Sequence, residues 1–151
     1  VLGPNKYWAG IVKLAKKGFP LIGNGKNHFQ TIYIKDLISA LTFVLEKSSC
    51  FGEVFVVSGK EKPTLRELYS LIRKKIGLDG EVKTIPAWLG KVLSYIYLLK
   101  SKISGKPTVV LPQHVNRLVR ERNYDTKKIT LLGWDAKYSL EKAVEETIKG
   151  Q

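Results

Sequence analysis

The sequence predicts a mixed α/β chain in one compact arrangement, and three observations carry that reading. Short runs of β-formers alternate with longer stretches of helical apolar spacing. A length of 151 residues is enough to enclose a core. A composition of 44% hydrophobic and 26% charged residues is that of a folded chain and not of a disordered one.

Asn5 is placed to cap a helix from Lys6 to Lys17, with Trp8, Ile11, Val12 and Ala15 on one face and Gly18 as its stop. Phe19–Ile22 reads as a short strand, Gly23-Asn24-Gly25 as a turn, and Phe29–Ile34 as a second strand. Asp36 is the expected N-cap of an apolar helix that reaches Lys47. The unbroken apolar run Val54–Val57 suits a strand covered on both faces.

Thr64 and Glu67 stand at capping-box spacing. Behind them Leu65, Leu68, Tyr69, Ile72 and Ile76 form a helical stripe that Gly77 ends. Val82–Ile85 reads as another strand, and Pro86 opens an unusually apolar helix through Trp88–Leu99. After Lys106-Pro107, residues Gln113–Glu121 read as a short helix, and Asp125 caps another that ends at Gly133. Ser139 starts the last helix, with Leu140, Ala143, Val144, Thr147 and Ile148 on one face and Gly150 at its end. No repeat or low-complexity linker divides residues 1–151, which therefore read as a single region.

Composition narrows the chemistry. The single Cys50 cannot form an internal disulfide, and His28 and His114 are too isolated to build a metal cluster. No segment reaches the roughly 18 apolar residues of a membrane span, and no secretory signal opens the chain, so a cytoplasmic protein is expected. Methionine is absent even at position 1, so the N-terminus is expected to be processed or incomplete.

The net charge of +13 is concentrated in residues 83–128, which hold 10 basic and 2 acidic side chains. With 21 Lys against 5 Arg, the surface is one of solvated point charges, poorly suited to reading bases. Nucleic acid is therefore not the expected partner.

Gly23-Asn24-Gly25 lacks the third glycine and the following helix of a dinucleotide loop, so it reads as a turn. Tyr124 with Lys128 and Tyr138 with Lys142 match Tyr-x-x-x-Lys, a pairing in which the ammonium lowers the phenol pKa for proton exchange. About one such match is expected by chance from this composition, and each straddles a cap, so both read as structural. No Gly-x-Ser-x-Gly is present, and composition and spacing alone assemble no catalytic or metal site.

Six segments in order carry a resemblance. They are Val1-Leu2-Gly3-Pro4-Asn5, Phe19 to Asn27, Ile32 to Leu37, Gly52 to Gly59 with Thr64 to Leu68, Tyr124 to Lys128, and Leu132-Gly133-Trp134 with Tyr138 to Glu141. Together they resemble the C-terminal part of the NAD-dependent epimerase/dehydratase family, the extended short-chain dehydrogenases.

The resemblance implies the substrate-binding part of that fold, with short strands and helices and most of the Rossmann sheet missing. It implies NAD or NADP in a full-length enzyme, bound by a missing N-terminal Rossmann part and not by this chain. It implies no catalytic residue here and a chain inactive alone. The substrate side would include Asn5 and Tyr7 after the Gly-Pro loop, Phe29 and Tyr33 on the hairpin, and Arg120.

Two departures shape the expected substrate. Where many nucleotide-sugar members carry a diphosphate-holding Arg after the hairpin turn, this chain has Phe29. Of Arg117, Arg120 and Arg122, none aligns securely with a second family Arg. Losing a bidentate clamp weakens diphosphate binding, so a less phosphorylated, more apolar sugar, sterol-like or flavonoid-like alcohol or ketone is expected.

By the resemblance Val54–Val57 belongs to the nucleotide-binding sheet whose other strands are largely missing, and an unpaired apolar strand implies self-association or rearrangement. Trp88–Leu99 reads as core or as a lid over an apolar pocket. Lys91, Lys100, Lys102 and Lys106 also flank it as in helices that lie on membranes. The competing function is a basic module binding nucleic acid or an anionic membrane surface.

Overall fold

Side-chain capping sets where the three helices of the main core begin. A computed structural model of the chain describes residues 1–105 and 111–150. Helix α1 (Lys6–Lys16) starts where the Asn5 side chain accepts the Trp8 N–H at 3.1 Å, and Gly18, at φ +68°, turns the chain away from its end. Strand β1 (Leu21–Ile22) pairs in parallel with β2 (Thr84–Ile85), Leu21 opposite Thr84 and Ile22 opposite Ile85. Between them lie α2 (Ile34–Leu45), a 3-10 turn at Ser48–Cys50, and α3 (Leu65–Lys75). Beyond β2 follow α4 (Ala87–Ser104), α5 (Pro112–Leu118), α6 (Lys127–Leu131) and α7 (Leu140–Lys149).

The main core forms where α1, α3 and α7 bring their stripes together. Trp8, Val12 and Ala15 meet Leu65, Leu68, Tyr69 and Ile72 of α3 and Ala143 and Val144 of α7. Each large apolar side chain buried this way contributes about 1.5–3 kcal/mol. A second cluster gathers Ile32, Ala40, Ile129, Trp134 and Ala136, so α2 and α6 share a separate core. The Thr64–Glu67 capping box forms as predicted, and the Ser139 hydroxyl caps α7 by accepting the Lys142 N–H.

Three expectations are corrected. Asp36 does not cap α2, which begins two residues earlier, at Ile34; its buried carboxylate instead accepts the N–H groups of Lys137 and Tyr138 at 2.8 and 3.3 Å. Phe29–Ile34 builds no ladder, and Ile34 already opens α2; single bridges join Leu2 to Tyr33, His28 to Thr64 and Phe29 to Arg122. Val54–Val57 forms no strand, because no described segment lies alongside to pair with it. Phe55 and Val57 pack on the second core while Val54 and Val56 face solvent, so one face is covered instead of two.

Lys128 anchors that segment, its ammonium on the Glu53 carboxylate at 2.6 Å and the Val54 carbonyl at 3.0 Å. The Lys106-Pro107 break lies outside the described residues.

Candidate functional site

A cavity of about 820 Å³ opens between α1, β1, α3 and the segment that follows α5. Its size suits a small-molecule ligand. The floor is apolar: Phe29 and Leu68 line it and are themselves buried. Tyr7 and Arg117 line it too but are exposed, so polar groups stand at its mouth.

One wall is built by zipping residues 27–31 to residues 118–124. The Arg122 N–H donates to the His28 carbonyl at 2.9 Å, and the Gln30 N–H donates to the Arg122 carbonyl at 3.0 Å. The Asn27 amide donates to the Leu118 and Arg120 carbonyls at 3.0 and 2.9 Å. The buried Gln30 side chain accepts the Tyr124 N–H and donates to the Gly59 carbonyl, both at 2.9 Å. A buried amide satisfied on both ends fixes the register of three segments at once.

This zipper carries the Arg122 guanidinium over the Phe29 ring, 4.1 Å from its centroid, where a cation and a ring face attract. Arg122 also donates to the Arg117 carbonyl at 3.0 Å. Among the described residues neither Arg117 nor Arg122 has a carboxylate partner, so both charges are available to an anion. Burial raises the Tyr7 phenol above its ordinary value although the residue is half exposed, and Arg122 and then Arg117 partly oppose that rise. At neutral pH the Tyr7 hydroxyl is therefore a donor.

Of the five residues expected on the substrate side, Asn5, Tyr7 and Phe29 line the cavity. Tyr33 does not: it is core, packed edge-on against Tyr138 with ring centroids 5.0 Å apart. Arg120 is exposed and offers its carbonyl to Asn27, and the arginines that line the cavity are Arg117 and Arg122. The available signal was the grouping of three of the 5 arginines within residues 117–122. Alignment by spacing could not say which of them the zipper turns inward.

In both Tyr-x-x-x-Lys matches the lysine is engaged by a carboxylate. Lys128 is held by Glu53, and Lys142 pairs with Glu146 at 3.1 Å.

No family model matches the chain. A curated relative, the N-acetyl-α-D-glucosaminyl-diphospho-ditrans,octacis-undecaprenol 4-epimerase of Escherichia coli O157:H7, is 21% identical over 92% of this chain and 42% of its own length. The UDP-glucose 4-epimerase of Thermotoga maritima, solved with UDP-glucose, superposes with a TM-score of 0.62 at 21% identity, covering 98% of this chain and 42% of that one. The UDP-glucuronic acid 4-epimerase of Bacillus cereus, solved with NAD, gives 0.66 at 18% identity, covering 99% and 41%. The fold is that of part of an extended short-chain dehydrogenase. The chain spans well under half the length of the relatives it matches.

The one Gly-x-Gly turn does not have the geometry of a dinucleotide loop. The sole glycine pair of the required type, Gly23 and Gly25, closes a turn in which a Cβ on Gly25 would meet Leu21 at 2.5 Å. The Gly25 carbonyl accepts the Arg66 N–H at 3.0 Å, so this turn packs against the start of α3 and opens no helix of its own. No group of three or more potential metal ligands occurs among the described residues.

Proposed function

We propose that this chain is the substrate-binding part of an NAD(P)-dependent epimerase, dehydratase or reductase. Its substrate on this reading is a sugar or related alcohol or ketone joined to an anionic group and an apolar one. The observation that carries the reading is the apolar cavity with Arg122, Arg117 and Tyr7 at its rim. Phe29 occupies the position at which nucleotide-sugar members place their clamping Arg, and Arg122 brings a guanidinium back over that ring from a distant segment. An anionic group, such as a diphosphate, is thereby accommodated in an otherwise apolar site. The curated relative, named for a sugar linked through a diphosphate to a polyprenol, has a substrate of that composition.

A dinucleotide held by another part of the enzyme would supply the hydride chemistry. The residues of this chain bind and orient. The apolar floor excludes water from the substrate body, the two arginines fix its anionic end, and the Tyr7 hydroxyl donates to an oxygen at the mouth. On this reading the chain alone does not turn over NAD(P). The apolar faces of Ile38, Leu41 and Leu45 on α2 and of Val54 and Val56 are where the missing sheet, or a second copy, packs. No described helix is long and apolar enough to cross a membrane.

Calorimetric titration tests the reading. An isoprenyl-diphospho-N-acetylglucosamine should bind the chain saturably, and more tightly than UDP-glucose. Equal or tighter binding of UDP-glucose would replace the apolar substrate with a nucleotide sugar, and absence of binding by both would remove the site.

A further inference from the structure

Helix α4 presents its apolar side to solvent. At about 100° of rotation per residue, Trp88, Val92, Tyr95, Ile96, Leu99 and Ile103 fall within an arc of about 100°. All six are at least 46% exposed. The opposite side is the docked one: Ser94 is fully buried, and a Cβ on Gly90 would stand 2.5 Å from Ile22. Lys91 and Lys102 border the stripe on one margin and Lys100 on the other. No acidic residue occurs between Ala87 and Ser104, and none of these three lysines makes an ion pair among the described residues.

We propose that α4 is a membrane-docking helix, which lies in the interface of an anionic bilayer with its apolar stripe among the acyl chains and its lysines on the headgroups. Charge selects this occupant. A second copy would set three lysines against three with no carboxylate between them, whereas anionic headgroups neutralise them. Shape agrees. The helix is 18 residues long, which is ample for an interfacial helix, and its exposed stripe runs the length of one side, while Leu89, Leu93 and Leu98 are half-buried and Tyr97 is exposed outside the stripe. Trp88 and Tyr95 supply the amphipathic rings that settle at headgroup depth.

The docked face of α4 rests on Ile22, which lines the cavity, so docking would hold the cavity close to the lipid. The proposal does not depend on what that cavity binds.

Trp8 and Trp134 are buried in the two cores, so a change in tryptophan emission on docking reports Trp88. The chain is mixed at low salt with vesicles of phosphatidylcholine containing about 30% phosphatidylglycerol, and with vesicles of phosphatidylcholine alone. Co-sedimentation with the anionic vesicles and a blue shift of the emission are expected. Leu99→Glu with Ile103→Glu, on the exposed stripe, should cut the vesicle-bound fraction about tenfold. The triple variant Lys91→Glu, Lys100→Glu, Lys102→Glu should do the same. Lys13→Glu, Lys16→Glu, Lys17→Glu at the C-terminal end of α1, which changes net charge equally, should have little effect. Equal losses from both triple variants would assign the binding to the overall charge and overturn the proposal. So would absence of binding to anionic vesicles, or a dimer in solution that the stripe variants dissociate. The ligand titration of the preceding section fails or succeeds independently of these outcomes.

Discussion

The guanidinium of Arg122 stands 4.1 Å from the centroid of the Phe29 ring, two residues 93 positions apart joined by a parallel bridge of their backbones. Stacking restrains the guanidinium in its plane, one N–H donates to the Arg117 carbonyl, and the remaining N–H groups can meet an anion. Arg122→Ala should weaken binding of a diphosphate-bearing ligand at least about tenfold, and Arg122→Lys, which keeps the charge but loses the planar fork, should recover only part. Phe29→Leu should give a smaller loss by releasing the guanidinium. Calorimetry on the three variants checks the order.

Asp36 is a tether and not a cap. Its buried carboxylate receives two backbone N–H groups from residues 137 and 138, binding the start of α2 to the approach to α7. Asp36→Ala strands both donors and should cost about 2–3 kcal/mol of stability. Asp36→Asn keeps one acceptor and should cost less. Urea denaturation measures both.

The Thr64–Glu67 box makes stability depend on acid. The Thr64 backbone N–H, and then its hydroxyl, hold the Glu67 carboxyl below its ordinary 4.5. A lowered folded value means that the contribution is complete above the unfolded value and is lost as pH falls through the folded one. The stability difference between the parent chain and Glu67→Gln should therefore be present at neutral pH and vanish under acid. Thr64→Ala should cost about 1 kcal/mol at neutral pH.

Gly90 allows α4 to reach β1. A methyl group there would collide with Ile22 at 2.5 Å, so Gly90→Ala should lift the helix and cost about 1–3 kcal/mol. Because Ile22 also lines the cavity, ligand affinity should fall with stability. Thermal unfolding with and without ligand separates the two effects.

What was legible in the sequence was what a few neighbouring residues decide. Asn5, Thr64 and Ser139 each cap a helix by accepting from a donor three residues on, so spacing alone locates α1, α3 and α7. Strands were less legible because a ladder needs a partner. Val54–Val57 has the composition of a buried strand but no described neighbour, and it lies as an extended segment with one face covered. The candidate site was half legible. Asn5, Tyr7 and Phe29 follow motifs, whereas Arg122 reaches the cavity only through hydrogen bonds spanning more than 90 residues. No local pattern distinguishes it from Arg120, which those same bonds leave in solvent.

The central claim is that the cavity beneath Arg122 receives the apolar substrate. The most direct test is amide and side-chain NMR of the chain titrated with a short isoprenyl-diphospho-N-acetylglucosamine. The account predicts saturable shifts at Tyr7, Phe29, Arg117 and Arg122, which Arg122→Ala abolishes. Saturable shifts confined to other residues, or none at ligand concentrations that saturate its relatives, would contradict it.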